Sequence, residues 1–302
     1  MPLRKLEELK FTELDALDRS KTLFTITVSP LEEHGPHLPL GVDMFNADYF
    51  GDELSQRFLK KHPEWNVIKI PALAVGSFAF DAPGTIKVRP KIIRELLIDS
   101  ISSLAKYEFK YFMISNAHGG PTHIVALEEA ARIVSKRYGA KVFSFTGHIA
   151  WEFLRGKYWE AICQRLSMSK EDTEALKDDA HAGQWETSMM LKLRPDLVDP
   201  EFQKLNPFVV KNIERLQPNY PLKREDGLGY VGHPSKANKE LADVSSEFLL
   251  EHVFEIVERQ IFSEKLPAPS MFYRVPFFRT GFMKVFAVLI ALIILLLFIA
   301  FR

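Results

Sequence analysis

Residues 22–28, TLFTITV, alternate along the chain and are rich in β-formers, which predicts a strand. A polar loop follows. Helical spacing then runs from about Met44 to Lys61 and stops before Pro63. Val67 to Ile70 reads as a short strand. Pro90 opens a helix that carries Ile92, Ile93, Leu96, Leu97 and Ile101 at helical spacing. Tyr111 to Ile114 is a short apolar strand with a turn at 116–120. A helix spans about Thr122 to Tyr138, with Gly139 as its stop, and Lys141 to Phe145 is a further strand. Ser169 starts a short helix, Gly183 to Lys192 carries another, and a long amphipathic helix covers about Ser235 to Phe262. Strands alternating with helices predict a layered α/β fold with a largely parallel sheet.

The pattern changes near the C-terminal side. Residues 285–301, VFAVLIALIILLLFIAF, are unbroken apolar sequence between Lys284 and Arg302. As a helix the run would span roughly 25 Å, close to a hydrocarbon core of about 30 Å. Gly281 to Met283 can lengthen it, and the flanking basic side chains can snorkel. It has no polar face, so a transmembrane helix is expected rather than a core helix. The expected organisation is therefore a globular domain over 1–263, a Pro- and aromatic-containing linker over 264–281, and an anchor over 282–302. Arg274, Arg279 and Lys284 precede the run, and no acidic residue follows position 270. The positive-inside tendency places the domain on the cytoplasmic side, and MPLRKLEELKF offers no signal-peptide apolar region.

Composition narrows the chemistry. Lys plus Arg and Asp plus Glu are both 39, so nothing favours a nucleic-acid partner held by phosphate contacts. One cysteine, Cys163, excludes an internal disulfide framework and a Cys-rich zinc site. Any metal must be held by histidines and carboxylates.

Those residues concentrate in three places. The first is Leu31 to Asp43, LEEHGPHLPLGVD, directly after the first strand. In an open α/β sheet, ligands bind beyond the carboxyl ends of strands. Glu32 and His34 are two apart, so an extended segment puts both on one side. Asp43 returns where the next helix begins, and a carboxylate there can bridge two divalent ions. Taken alone, such a loop is more often a polar surface loop with Asp43 as a helix cap. The second place is Asn116 to Gly120, NAHGG, which again follows a strand and precedes a helix, so His118 shares a sheet edge with His34. The third is Asp178 to Ser188, DDAHAGQWETS. His181 there suits proton shuttling near pH 7, or is a plain surface histidine behind two acidic caps.

Together the three clusters resemble the creatininase family of metal-dependent amidohydrolases. That family's glutamate-x-histidine-glycine-proline-histidine-leucine-proline and following aspartate match Glu32 through Asp43. Its asparagine-x-histidine-glycine-glycine matches Asn116 to Gly120, and its histidine-alanine-glycine-x-x-glutamate-threonine-serine matches His181 to Ser188. A late glycine-x-proline appears at Gly232 to Pro234. The resemblance covers roughly residues 20–260 and implies a three-layer α/β/α fold, a homo-oligomer, and two divalent ions. It implies Glu32, His34, Asp43 and His118 as metal ligands, with Asp43 as the bridge. On the reading of the residues themselves, His181 is the expected proton donor to the departing nitrogen, and Ser77 and Asn116 are the expected substrate contacts. Creatinine-hydrolysing members carry a glutamate where this chain has Gly120, which argues against creatinine and leaves one ion short of a carboxylate. Glu186 is the candidate to supply it. The segment Gly76 to Thr85 lacks the glutamate–histidine pair common in the family and has Ala79 and Phe80 instead, which implies a more apolar pocket wall. His37 is expected to position its loop, and Cys163 to be a small core residue.

The expected activity is hydrolysis of a C–N amide bond, in a cyclic amide or a formamide small molecule, by a metal-activated water. Ligands without thiolate suit Zn²⁺, Mn²⁺ or Fe²⁺. The alternative is a non-catalytic, membrane-tethered binding protein that keeps the fold.

Overall fold

The structure is a computed structural model, and it describes residues 3–210, 219–223, 228–263, 265, 268–282 and 286. Its centre is a five-stranded, wholly parallel sheet in the order β1-β3-β2-β4-β5. The strands are β1 (Arg4–Lys5), β2 (Thr22–Ser29), β3 (Asn66–Ala74), β4 (Tyr111–Ser115) and β5 (Lys141–Ser144). All eight residues of β2 are buried, as expected of a central strand covered on both faces.

The period-two alternation of the strands sorts the core into two layers. Phe24, Ile26, Ile68, Phe112, Ile114 and Val142 face one side. Helix α3 (Pro90–Ala105) meets them with Ile93, Leu97 and Ile101, and α4 (Pro121–Tyr138) with Ala126, Ala130 and Val134. Leu23, Val67, Met113 and Phe143 face the other side. There they meet α2 (Val42–Lys61), α6 (Lys157–Arg165), α8 (Gln184–Leu193) and α10 (Lys239–Phe262). The result is the three-layer α/β/α arrangement. The elements between these are α1 (Phe11–Asp15), α5 (Thr146–Leu154), α7 (Lys170–Lys177), α9 (Tyr220–Lys223) and α11 (Met271–Arg274).

Sheet order positions the site. The chain leaves β2 through α2 to β3 on one side, and leaves β4 through α4 to β5 on the other. The strands β2 and β4 are neighbours, so their loops part over a switch point, where an open parallel sheet forms its ligand crevice.

The expected linker is not an open tether. Ser270 donates its backbone N–H to Glu128 at 3.1 Å, and Thr280 donates its own to Glu129 at 3.1 Å. Phe272 is buried against Ile124 and Val125. Residues 268–282 therefore form a strap along α4, because two glutamates on that helix find backbone donors and an aromatic side chain finds an apolar slot. The expected anchor over 282–302 lies outside the described residues, apart from Phe282 and Phe286. Among the described residues, no helix is long and apolar enough to cross a membrane.

Candidate metal centre

The first donor loop leaves β2 at Ser29 and is closed by Glu32 N–H donating to the Leu40 carbonyl at 2.9 Å. The positive φ of Gly35 turns it back, and Asp43 arrives buried in the first turn of α2. Glu32 accepts the Phe80 N–H at 2.6 Å through Oε1, which leaves Oε2 facing inward. His34 donates from Nδ1 to the Glu32 carbonyl at 3.0 Å, so Nε2 is the nitrogen aimed at the centre. It lies 3.7 Å from Asp43 Oδ1 and 3.7 Å from Glu186 Oε2.

The second loop leaves β4. Asn116 Oδ1 accepts from Ser29 Oγ at 2.8 Å and from His118 N–H at 3.0 Å, and Nδ2 donates to the His118 carbonyl at 2.8 Å. His118 Nε2 donates to the Ser77 carbonyl at 3.0 Å. Its Nδ1 is thereby turned to Glu32 Oε2 at 3.0 Å and Asp43 Oδ2 at 3.2 Å. Gly120 is demanded by this packing: a Cβ there would lie 2.4 Å from His118 Nε2 and 2.8 Å from the Ser77 carbonyl oxygen.

The third segment is held by Asp179, which accepts from Gln184 N–H at 2.7 Å and Trp185 N–H at 2.8 Å at the start of α8. That contact needs a glycine at 183, where a Cβ would lie 1.7 Å from Asp179 Oδ1. Glu186 sits in the first turn, with Oε2 accepting the Ala182 N–H. His181 donates from Nε2 to the Glu33 carbonyl at 2.8 Å, which leaves Nδ1 with a free lone pair.

Two trios of donor atoms result: Glu32, Asp43 and His118, and His34, His181 and Glu186, each within 4.8 Å of one another. Asp43 joins them, with one oxygen toward each trio. His181, expected as a proton shuttle apart from the ligands, sits in the second trio. Ser77 and Asn116, expected on the substrate, both bond His118. Ser77 is buried with its hydroxyl 3.1 Å from Thr122 Oγ1, and the Asn116 carboxamide organises its own loop, although the residue also borders the cavity. His37 bonds Thr187 Oγ1 at 2.8 Å and so ties the first loop to α8.

Glu33 escaped sequence reasoning. Its carboxylate is buried, accepts the Gly35 N–H at 3.1 Å and lies 3.5 Å from His181 Nε2. The doubled glutamate was its only signal, and alternation would have turned it away from Glu32.

The residues fit divalent ions. Glu32 Oε2 and Asp43 Oδ2 are buried against His118 Nδ1, and His34 Nε2 is buried against Asp43 and Glu186 oxygens at 3.7 Å, a gathering of donor atoms out of water that is costly unless a proton or a cation compensates it. Burial opposes charge on His34, but Glu186 and Asp43 raise its pKa well above the ordinary value. Burial likewise opposes charge on His118, and Glu32 and Asp43 overcome it. Burial would raise the Asp43 pKa, but His34 and His118 hold it well below the carboxylate range. A field that favours protonated imidazoles here also favours a metal cation. A cavity of about 1070 Å³ opens beside the trios, with Phe78 and Phe80 in its wall.

A family model described as creatinine amidohydrolase matches residues 7–257. Two curated relatives are named mycofactocin precursor peptide peptidase. The one from Mycolicibacterium smegmatis is 27% identical over 220 residues, 70% of this chain and 74% of the relative. The one from Mycobacterium ulcerans is 28% identical over 183 residues, 57% of this chain and 59% of the relative. Among solved structures, one described as creatininase Mn has a TM-score of 0.66 at 20% identity and covers 86% of this chain and 100% of its own. A mutant creatininase of Zn-Zn type has a TM-score of 0.66 at 19% identity, covering 87% and 100%. At these identities the likeness to the solved structures is one of fold.

Proposed function

This chain belongs to the creatininase family, and from that premise we propose that it hydrolyses a C–N amide bond at a two-ion centre built by the two trios. Glu32, Asp43 and His118 would hold one ion, and His34, His181 and Glu186 the other, with Asp43 shared. Bound there, divalent ions such as Mn²⁺, Zn²⁺ or Fe²⁺ would lower the pKa of a water toward neutrality and polarise the scissile carbonyl. The protein groups orient this chemistry. The Glu32 and Ser77 carbonyls fix the tautomers of His34 and His118, and the Phe80 N–H holds Glu32. Phe80 packs edge-on to His181 with ring centres 4.8 Å apart and shields that face from water.

The single observation that carries this reading is the pair of oxygens of Asp43, one turned to each trio. A non-catalytic binding protein is favoured by the altered segment 77–82 and by the carboxylate missing at Gly120; Glu186 in the second trio supplies a carboxylate against the second of these. The sequence-based expectation for the scissile bond is a cyclic amide or formamide. The name of the curated relatives favours a second reading, in which it is a peptide bond. Metal-loaded full-length protein assayed against lactams, formamides and short peptides separates the two, and no turnover of any amide would sink both.

The apolar run 285–301 supports a membrane tether with the domain on the cytoplasmic side. Family resemblance adds a homo-oligomer, which sedimentation of the full chain in detergent would test.

A further inference from the structure

The cavity beside the trios is larger than a lactam or formamide requires. Its volume, about 1070 Å³, is at the top of the roughly 300–1,000 Å³ that accommodates drug-sized ligands. Glu32, Asp43, His118, His181 and Glu186 contribute to its wall. So do Phe145, which follows β5, Trp159 of α6, and Leu249 and Val253 of α10, four buried members of one core layer. The space therefore leads from the donor atoms into the hydrophobic interior. Ile149 on α5 lines it as well, half-buried.

The strap contributes to the same wall. Phe272 is buried there, and the strap continues to Phe282, just ahead of the apolar run at 285–301. Arg274 and Arg279 lie on it with no acidic residue, as suits a segment that approaches anionic lipid headgroups. The stretch that walls the cavity thus also leads toward the proposed bilayer.

We infer that the amide handled at this centre is that of a long-chain fatty acid, with its carbonyl at the donor trios and its acyl chain in the apolar arm walled by Phe145, Ile149, Trp159, Leu249 and Val253. This rests on the amidohydrolase reading for the chemistry, but not for the binding. Hydrolysis would break the acyl C–N bond, add water, and release the fatty acid and an amine.

The test uses the full chain in phosphatidylcholine vesicles and a stearamide carrying a nitroxide on its chain. Trp159 and Trp185 line the cavity, so the label should quench their fluorescence. Unlabelled hexadecanamide should displace it at least a hundredfold better than butanamide, since each buried methylene favours binding roughly fourfold. Ile149→Glu, which places a charge in the arm, should lose at least tenfold in this displacement. Ile149→Leu should restore it, and circular dichroism should show the fold kept in both. Displacement independent of chain length, or equal in wild type and Ile149→Glu after correction for vesicle partition, overturns the inference. The measurement is made with and without Mn²⁺. Chain-length-dependent binding without turnover of hexadecanamide would count against the amidohydrolase reading alone. Turnover of short amides without chain-length preference would count against the fatty-amide inference alone.

Discussion

Asp43 is the residue on which the two trios depend, because its oxygens lie 3.7 Å from His34 and 3.2 Å from His118. Asp43→Ala is expected to lose both ions, whereas Glu32→Ala should weaken one preferentially; elemental analysis of matched preparations reads this directly. His181 needs two readouts. If it is a ligand, His181→Ala loses about one ion per chain. If it is a proton shuttle, the metal stays while turnover falls on the order of 10²–10⁴. Glu128 gives a test that needs no metal. Burial raises its carboxyl from 4.5 to about 7. The folded state then binds a proton that the unfolded state releases, so stability falls as pH rises from about 4.5 to about 7. The loss is at most roughly 3 kcal/mol. Glu128→Gln should flatten that slope relative to wild type, and denaturation midpoints at pH 5 and pH 8 measure it. An unchanged slope would mean that the carboxyl is ionised throughout.

At the scale of elements, α8 depends on a residue outside it. Asp179 accepts two of the N–H groups that the start of a helix leaves unpaired. Asp179→Ala should cost about 1–2 kcal/mol and weaken metal binding through the displaced Glu186, and Asp179→Asn should recover part of both. Thermal melts and metal titration of the same variants would show whether the two effects move together. The strap makes a similar claim. Phe272→Ala should cost about 3 kcal/mol if residues 268–282 dock as described, and almost nothing if they hang free. Periodicity read the strands and most core helices well. It missed the two-residue β1 and the short helices α5 and α6, nine residues each, whose apolar positions span too few turns for the period to stand out.

At the scale of the molecule, the open question is how the domain meets its tail. Truncation after Ser270 would sever the strap and uncover Ile124 and Val125. Truncation after Phe282 should instead yield a folded protein that needs no detergent, while the full chain partitions with detergent. Phase separation in a mild detergent distinguishes them. A full chain that stays in the aqueous phase would make the apolar run something other than an anchor.

The order of strands and helices, the donor-rich loops after β2 and β4, and the apolar run were all legible in the linear chain. Each is local: alternation reports which face of a strand is buried, and a motif needs only its own spacing. Local signals do not choose neighbours. That β2 pairs with β4, so that His118 reaches Glu32 across 86 residues at 3.0 Å, follows from how whole layers pack. The same packing brought Glu33 to His181, set Asp179 at the start of α8, set the Ser77 carbonyl against His118, and laid the expected linker along α4. In each case the deciding contact joins segments distant in sequence, and its energy exists only once the chain has folded.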